Sequence, residues 1–189
     1  MYKAVLWASW LPIHITGKEH IPEDPAIFVA NHSSSFDVPL LGSLVNSHPH
    51  IWLAMTWLTK FWLFRLLLPR VAVLVDMSSP QRGGRSLIKT IDLIKKYNTH
   101  VMIFPEGARY TDGKVHDFYG GFSLLAKKMH LPVIPVRMFN LEKVYPPNTF
   151  WVHYHPVNVV IGEPMYMRED ETDTEFKDRV HRWFIQQEQ

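Results

Sequence analysis

Six short apolar runs, at residues 26–30, 51–54, 71–75, 101–104, 133–136 and 157–161, punctuate this chain, with helical patterns between them. That alternation is what most narrows the fold, because a strand followed by a helical crossover returns the chain parallel to the strand it left. The expectation is an α/β domain, a mixed and mostly parallel sheet flanked by helices. With 189 residues, 47% of them apolar, and no linker, repeat or low-complexity tract, 1–189 reads as a single domain with a sizeable core. Ser86 to Tyr97 sets Leu87, Ile91 and Ile94 on one helical stripe. Thr172-x-x-Glu175 spells a capping box ahead of Phe176, Val180 and Trp183, which predicts a last helix packed on the sheet. Pro132 and Pro135 bracket the run 133–136, which reads as an edge strand or as one that bends.

Polar residues stand where the first of these runs ends: Asn31-His32-Ser33-Ser34-Ser35-Phe36-Asp37-Val38-Pro39. Ser33 to Ser35 can cap a helix whose first turn holds Asp37 and Pro39, proline being tolerated where amides have no intrahelical partner. A carboxylate there is favoured by the helix N-terminus and can hold one nitrogen of His32 as a donor. The other nitrogen is then an acceptor, able to take a proton from a hydroxyl, a contribution of roughly 100- to 10,000-fold in rate. The plainer alternatives are that Asp37 only caps the helix and His32 only satisfies a loop carbonyl. A second polar cluster, Pro105-Glu106-Gly107-Ala108-Arg109-Tyr110, follows the run 101–104, where proline ends a ladder. Gly107 allows a sharp turn, Arg109 offers a planar fork for phosphate or carboxylate, and Glu106 can orient that arginine or bind a hydroxyl. A Glu106–Arg109 surface pair closing a turn is the simpler reading.

Asn-His-x-x-x-x-Asp followed about seventy residues later by Phe-Pro-Glu-Gly-x-Arg resembles the glycerolipid acyltransferase family. Gly17 to Pro25, Leu131 to Val136 and Ile161-Gly162-Glu163-Pro164 resemble its flanking blocks. The resemblance implies a glycerol-3-phosphate acyltransferase-like fold and transfer of a fatty acyl group from a thioester to a lysophospholipid hydroxyl. The implied acceptor is 1-acylglycerol-3-phosphate, giving phosphatidic acid, with another lysophospholipid as the alternative; a non-catalytic lipid-binding relative is the competing class. In that scheme His32 is the general base and Asp37 its orienter. Glu106, Gly107 and Arg109 bind the glycerol-phosphate portion. The donor is acyl-CoA or acyl carrier protein, and no cofactor or metal takes part. The chain has no cysteine and no Gly-x-Ser-x-Gly elbow, consistent with direct transfer. Several departures from the family pattern matter, among them Ala108 and Tyr110 in the third motif and Met55 after Ala54, and Met77 stands where the family commonly carries a phosphate-binding arginine. Arg82 or Arg85 would replace it if the intervening loop folds back, and otherwise belongs to a solvated helix start.

A net charge of +2 with scattered basic residues leaves no nucleic-acid footprint. Lys60 and Arg65 interrupt Ile51 to Leu68, so no segment reads as a membrane span. Trp57 to Leu68 reads either as an interfacial helix with snorkelling basic residues or as a helix buried against the sheet. Residues 1–13, with Trp7 and Trp10, read as a short interfacial segment. The resemblance accordingly implies a peripheral or monotopic protein on the cytoplasmic face of a membrane, with the membrane surface as a partner. His153 and His155 alternate on an expected strand, but no third metal ligand stands at suitable spacing.

Overall fold

Ala26 to Ala30 is buried on both faces because it runs through the middle of a sheet. The computed structural model describes residues 10–45, 48–60, 62, 65, 66, 68, 72–76, 79–146, 149 and 151–187. Its strands are β1 (Ile13–Thr16), β2 (Ile27–Ala30), β3 (His50–Met55), β4 (Ala72–Val75), β5 (His100–Ile103), β6 (Val133–Phe139) and β7 (Val157–Ile161). They lie in the order β1-β7-β6-β2-β5-β3-β4, parallel throughout except for the antiparallel pair of β6 and β7. Each of the six apolar runs is a strand, although Val71 lies outside the described residues. The seventh, β1, is an edge strand whose Ile-His-Ile-Thr sequence alternates half-buried and exposed. Its first residue, Ile13, pairs with Val157, so the end of the 1–13 segment belongs to the sheet. Residues 1–9 lie outside the described residues.

The helices are α1 (Asp37–Leu44), α2 (Pro80–Tyr97), α3 (Gly121–Met129), the single turn α4 (Leu141–Val144) and α5 (Asp173–Gln186). Alternation along β2 divides the core in two. Phe28 and Ala30 meet Leu40 and Leu41 of α1, while Ile27 and Val29 meet Ile94 of α2, Phe122 of α3 and Phe176, Val180 and Phe184 of α5. Helix α2 starts before Ser86 because the Ser79 hydroxyl accepts the Arg82 amide and Pro80 occupies a first-turn position. The Thr172 hydroxyl accepts the Glu175 amide at 3.2 Å and the Glu175 carboxylate accepts the Thr172 amide at 2.8 Å, which completes the capping box.

Two expectations are corrected, and of the two readings of the run 133–136 the edge strand is excluded. Strand β6 is interior, flanked by β2 and β7, despite Pro135. Val133 exchanges two hydrogen bonds with Met165, and Val136 is opposite Ile161, so two residues of β6 face three of the other chain. The nitrogen of Pro135 points at this bulge, where no ladder donor is required. His153 and His155 precede β7 rather than lying on it. The helix at Asp37 has Phe36 as its N-cap residue and no side-chain cap bond, in place of the expected serine cap. In the Trp57 to Leu68 stretch, Thr56–Lys60 is a 3-10 turn, Trp57, Trp62 and Leu66 are exposed, and Leu68 packs on the core. The remaining residues there, 61, 63, 64 and 67, lie outside the described residues.

Candidate active site

Parallel strands β2 and β5 end side by side, so the loops beyond Ala30 and Ile103 share one crevice. Past the end of β2 the Asn31 side chain takes over the ladder: its amide donates to the Met138 carbonyl at 2.9 Å and its oxygen accepts the Met138 amide at 2.7 Å. This fixes the direction in which His32 leaves the sheet. The chain then turns so that one oxygen of the fully buried Asp37, Oδ2, accepts from His32 Nδ1 at 2.6 Å, Ser33 N at 2.6 Å and Ser34 N at 2.8 Å. A carboxylate oxygen with no proton can only accept, so Nδ1 carries the hydrogen and Nε2 presents a lone pair. The imidazole is 19% exposed. Its ring stacks on Phe104, with centroids 4.1 Å apart and planes 11° apart, and Phe104 stacks in turn on Trp52.

The second polar cluster is bound to the first through the backbone of His32. Glu106 Oε2 accepts the His32 amide at 3.3 Å, and the Tyr110 amide donates to the His32 carbonyl at 2.9 Å. Arg109 reaches across to donate to the Ser35 hydroxyl at 2.6 Å. Gly107 has φ of 70°, and a Cβ there would come within 2.7 Å of the Tyr119 ring, so both conformation and space require glycine. Glu106 is buried rather than part of a surface pair, and among the described residues no ion pair joins it to Arg109. Its other oxygen accepts the His116 amide at 3.4 Å. Burial pushes its carboxyl up to about 7, against the opposing pull of the two amides and of the Arg137 charge.

Two cavities open from this crevice. A polar one of about 630 Å³ is lined by Asn31, His32, Glu106, Lys114, Arg137 and Lys143, among others. An apolar one of about 730 Å³ lies on the far side of Phe104, between α2 and α3, with Leu53, Leu87, Ile103 and Leu124 in its wall. Both volumes suit small-molecule sites. All five expected site residues, His32, Asp37, Glu106, Gly107 and Arg109, therefore meet at one place. Sequence reasoning gave no role to Asn31, Phe104 or Arg137; a lone charge inside the apolar run of β6 was the available signal for Arg137. Arg82 pairs with Asp76 at 3.1 Å, and both it and Arg85 are exposed on the first turns of α2. Met77 lies outside the described residues, and among those residues no group of three acidic or histidine side chains is placed to hold a metal.

A histidine oriented by a buried carboxylate at the ends of parallel strands, between a polar and an apolar cavity, defines a site for base-assisted group transfer. The sequence profile of the Acyltransferase family matches residues 12–139, and the chain belongs to that family. A 1-acyl-sn-glycerol-3-phosphate acyltransferase of Limnanthes alba is 29% identical over 168 residues, covering 85% of this chain and 57% of that protein. One from Pseudomonas aeruginosa is 30% identical over 155 residues, covering 80% of this chain and 58% of that protein. The chain thus spans somewhat over half the length of these curated relatives. The crystal structure of PlsC, the 1-acyl-sn-glycerophosphate (LPA) acyltransferase of Thermotoga maritima, matches with a TM-score of 0.78 at 25% identity, covering 98% of this chain and 75% of that one.

Proposed function

We propose that this chain transfers a fatty acyl group from an acyl thioester, acyl-CoA or acyl carrier protein, to the free hydroxyl of 1-acylglycerol-3-phosphate, yielding phosphatidic acid. The observation that carries the reading is the 2.6 Å bond from His32 Nδ1 to Asp37, which leaves Nε2 as an acceptor in a polar cavity. Nε2 takes the proton of the acceptor hydroxyl as its oxygen attacks the thioester carbonyl. The tetrahedral intermediate expels the thiolate, which leaves as thiol with the proton held on the imidazolium. Asp37 stabilises that imidazolium. Glu106, Gly107 and Arg109 form the side of the crevice that receives the glycerol-phosphate portion, with Arg109 pairing to phosphate. The acyl chain lies in the apolar cavity behind Phe104, one ring away from the base.

Membrane contact is part of the same proposal. Trp57 follows the end of β3, and Trp151 and Tyr154 lead into β7, which runs antiparallel to β6. These exposed aromatics therefore stand at the strand ends that carry the crevice, with Lys60 beside Trp57. Amphipathic rings of this kind favour a lipid interface, and no helix among the described residues is long and apolar enough to cross a membrane. The working location is the cytoplasmic face of a membrane, where the thioester donors are made. Radiolabelled acyl transfer from acyl-CoA and from acyl carrier protein to a panel of lysophospholipids tests the proposal. Transfer to lysophosphatidic acid that disappears in His32→Ala supports it, transfer only to another acceptor redirects it, and no transfer to any acceptor sinks it. Arg109→Ala should lower kcat/KM about 10-fold for a phosphate-bearing acceptor; an equal loss with monoacylglycerol would count against phosphate pairing.

A further inference from the structure

Arg137 interrupts an otherwise apolar strand. Strand β2 makes its last pair with β6 at Ala30 and Val136, so Arg137 is one residue beyond that pair, as Asn31 is on β2. This brings it to the level of Asn31, one residue short of His32, and Arg137 and His32 both line the polar cavity. It is 3% exposed. Its Nη2 donates to the Gly113 carbonyl at 3.1 Å and its guanidinium lies 5.0 Å over the Phe139 ring, so the charge is held in place rather than free to swing into solvent. Lys114 follows the residue that Arg137 bonds, and Lys143 lines the same cavity and donates from its ammonium to the Asn140 side-chain oxygen at 2.9 Å.

We infer that Arg137, with Lys114 and Lys143, forms a phosphate-binding subsite inside the cavity that His32 lines, deeper than the rim at Arg109. The inference rests on the acyl-transfer reading for its biological meaning but not for its test. Arg109 is exposed, and a charge in contact with water attracts an anion several-fold less than the same charge enclosed by protein. Arg137 keeps its charge at every working pH and presents a planar fork suited to phosphate oxygens. The cavity also holds acidic groups. The Asp112 carboxylate accepts the Lys114 amide at 3.1 Å and holds His116 at 3.0 Å, and Glu142 is half-buried. Glu106 already titrates near 7, and an arriving phosphate would raise it further, so binding at neutral pH should take up a proton instead of setting two anions side by side. The phosphate could be that of the acceptor's glycerol or that of the donor's carrier, and the two sources are separable by experiment.

Calorimetric titration of the whole chain with glycerol 3-phosphate, with coenzyme A and with glycerol as the neutral control reads binding without turnover. Arg137→Gln should weaken one of the two phosphate probes by about 30-fold or more and leave glycerol unchanged; kcat/KM should fall far more for lysophosphatidic acid than for monoacylglycerol when the phosphate is the acceptor's, and equally for both when it is the donor's. Arg137→Lys should recover part of the loss. Lys114→Ala, on an exposed loop where folding is not at risk, should weaken the same probe about 3- to 10-fold. Loss confined to glycerol 3-phosphate assigns the subsite to the acceptor, and loss confined to coenzyme A assigns it to the donor. Unchanged binding of both probes in both variants, no binding of either to the wild-type chain, or a loss of glycerol binding equal to that of the phosphate probes would overturn the inference. Binding that depends on Arg137 in a chain that transfers no acyl group would keep the subsite and remove the acyl-transfer reading.

Discussion

His32 and His100 stand at opposite ends of the same central strands and show how differently one side chain can be used. His32 lies beyond the ends of β2 and β5, donates from Nδ1 to a carboxylate and turns Nε2 towards a cavity. His100 begins β5, is 1% exposed, and its Nδ1 accepts the Ala26 amide at 3.1 Å. That bond fixes the opposite tautomer, with the hydrogen on a buried Nε2 that finds no partner. Burial first, then the neighbouring His48 and His50, push the His100 imidazole down to about 4. Under the proposed function, what separates the base from a piece of the core is the partner of Nδ1: a carboxylate supports the imidazolium, whereas an amide forbids it.

Exchanging the roles breaks the comparison most sharply. His32→Ala should lower turnover by about 1,000-fold or more with the fold intact by circular dichroism, while His100→Asn, which can still accept the Ala26 amide, should keep full activity per folded molecule. Activity lost equally in both would make His32 structural. Asp37→Asn should cost about 100- to 1,000-fold, because an amide can hold Nδ1 in the wrong tautomer and cannot support the imidazolium. A change below 10-fold in steady-state assays would sink the orienting role.

Stability against pH sharpens the contrast further. An unfolded His100 takes a proton near 6.5 and the folded one only near 4, so its contribution is full above 6.5 and lost as pH falls towards 4. Glu106 runs the other way: its folded carboxyl titrates near 7 and its unfolded one near 4.5, so stability is lost as pH rises from 4.5 to 7. Each effect is on the order of 3 kcal/mol, and in the wild-type chain they offset each other between 4.5 and 6.5. Denaturant titrations should therefore show stability falling with pH in His100→Asn and rising with pH in Glu106→Gln; parallel profiles would refute both assignments. The smallest effect serves as a control remote from both histidines: Thr172→Ala should cost about 1 kcal/mol through the lost capping box and leave turnover unchanged.

The layered sheet was legible because buried parallel strands read as continuous apolar runs, and the His32 and Asp37 pair because both residues lie within one turn of chain. The capping box was legible for the same local reason. Strand β1 escaped because four half-exposed edge residues carry little periodic signal. Interior placement of β6 escaped because Pro135 is permitted only by a bulge that Met165 completes, thirty residues away. The roles of Asn31 and Arg137 escaped for a similar reason, since their meaning depends on where β2 stops relative to β6. Local chemistry predicts a residue's capabilities; only register shows what it faces.

Both main-chain groups of His32 are bonded to the second polar cluster, the amide to Glu106 and the carbonyl to the Tyr110 amide. Neither loop can open without breaking the other's bonds, so the His32 and Tyr110 amides should exchange together in a hydrogen-exchange measurement. The ordering entropy of the base then falls on folding instead of on substrate capture. Under the proposed function, an acceptor that reaches the crevice would meet a site whose two loops are already bonded to each other.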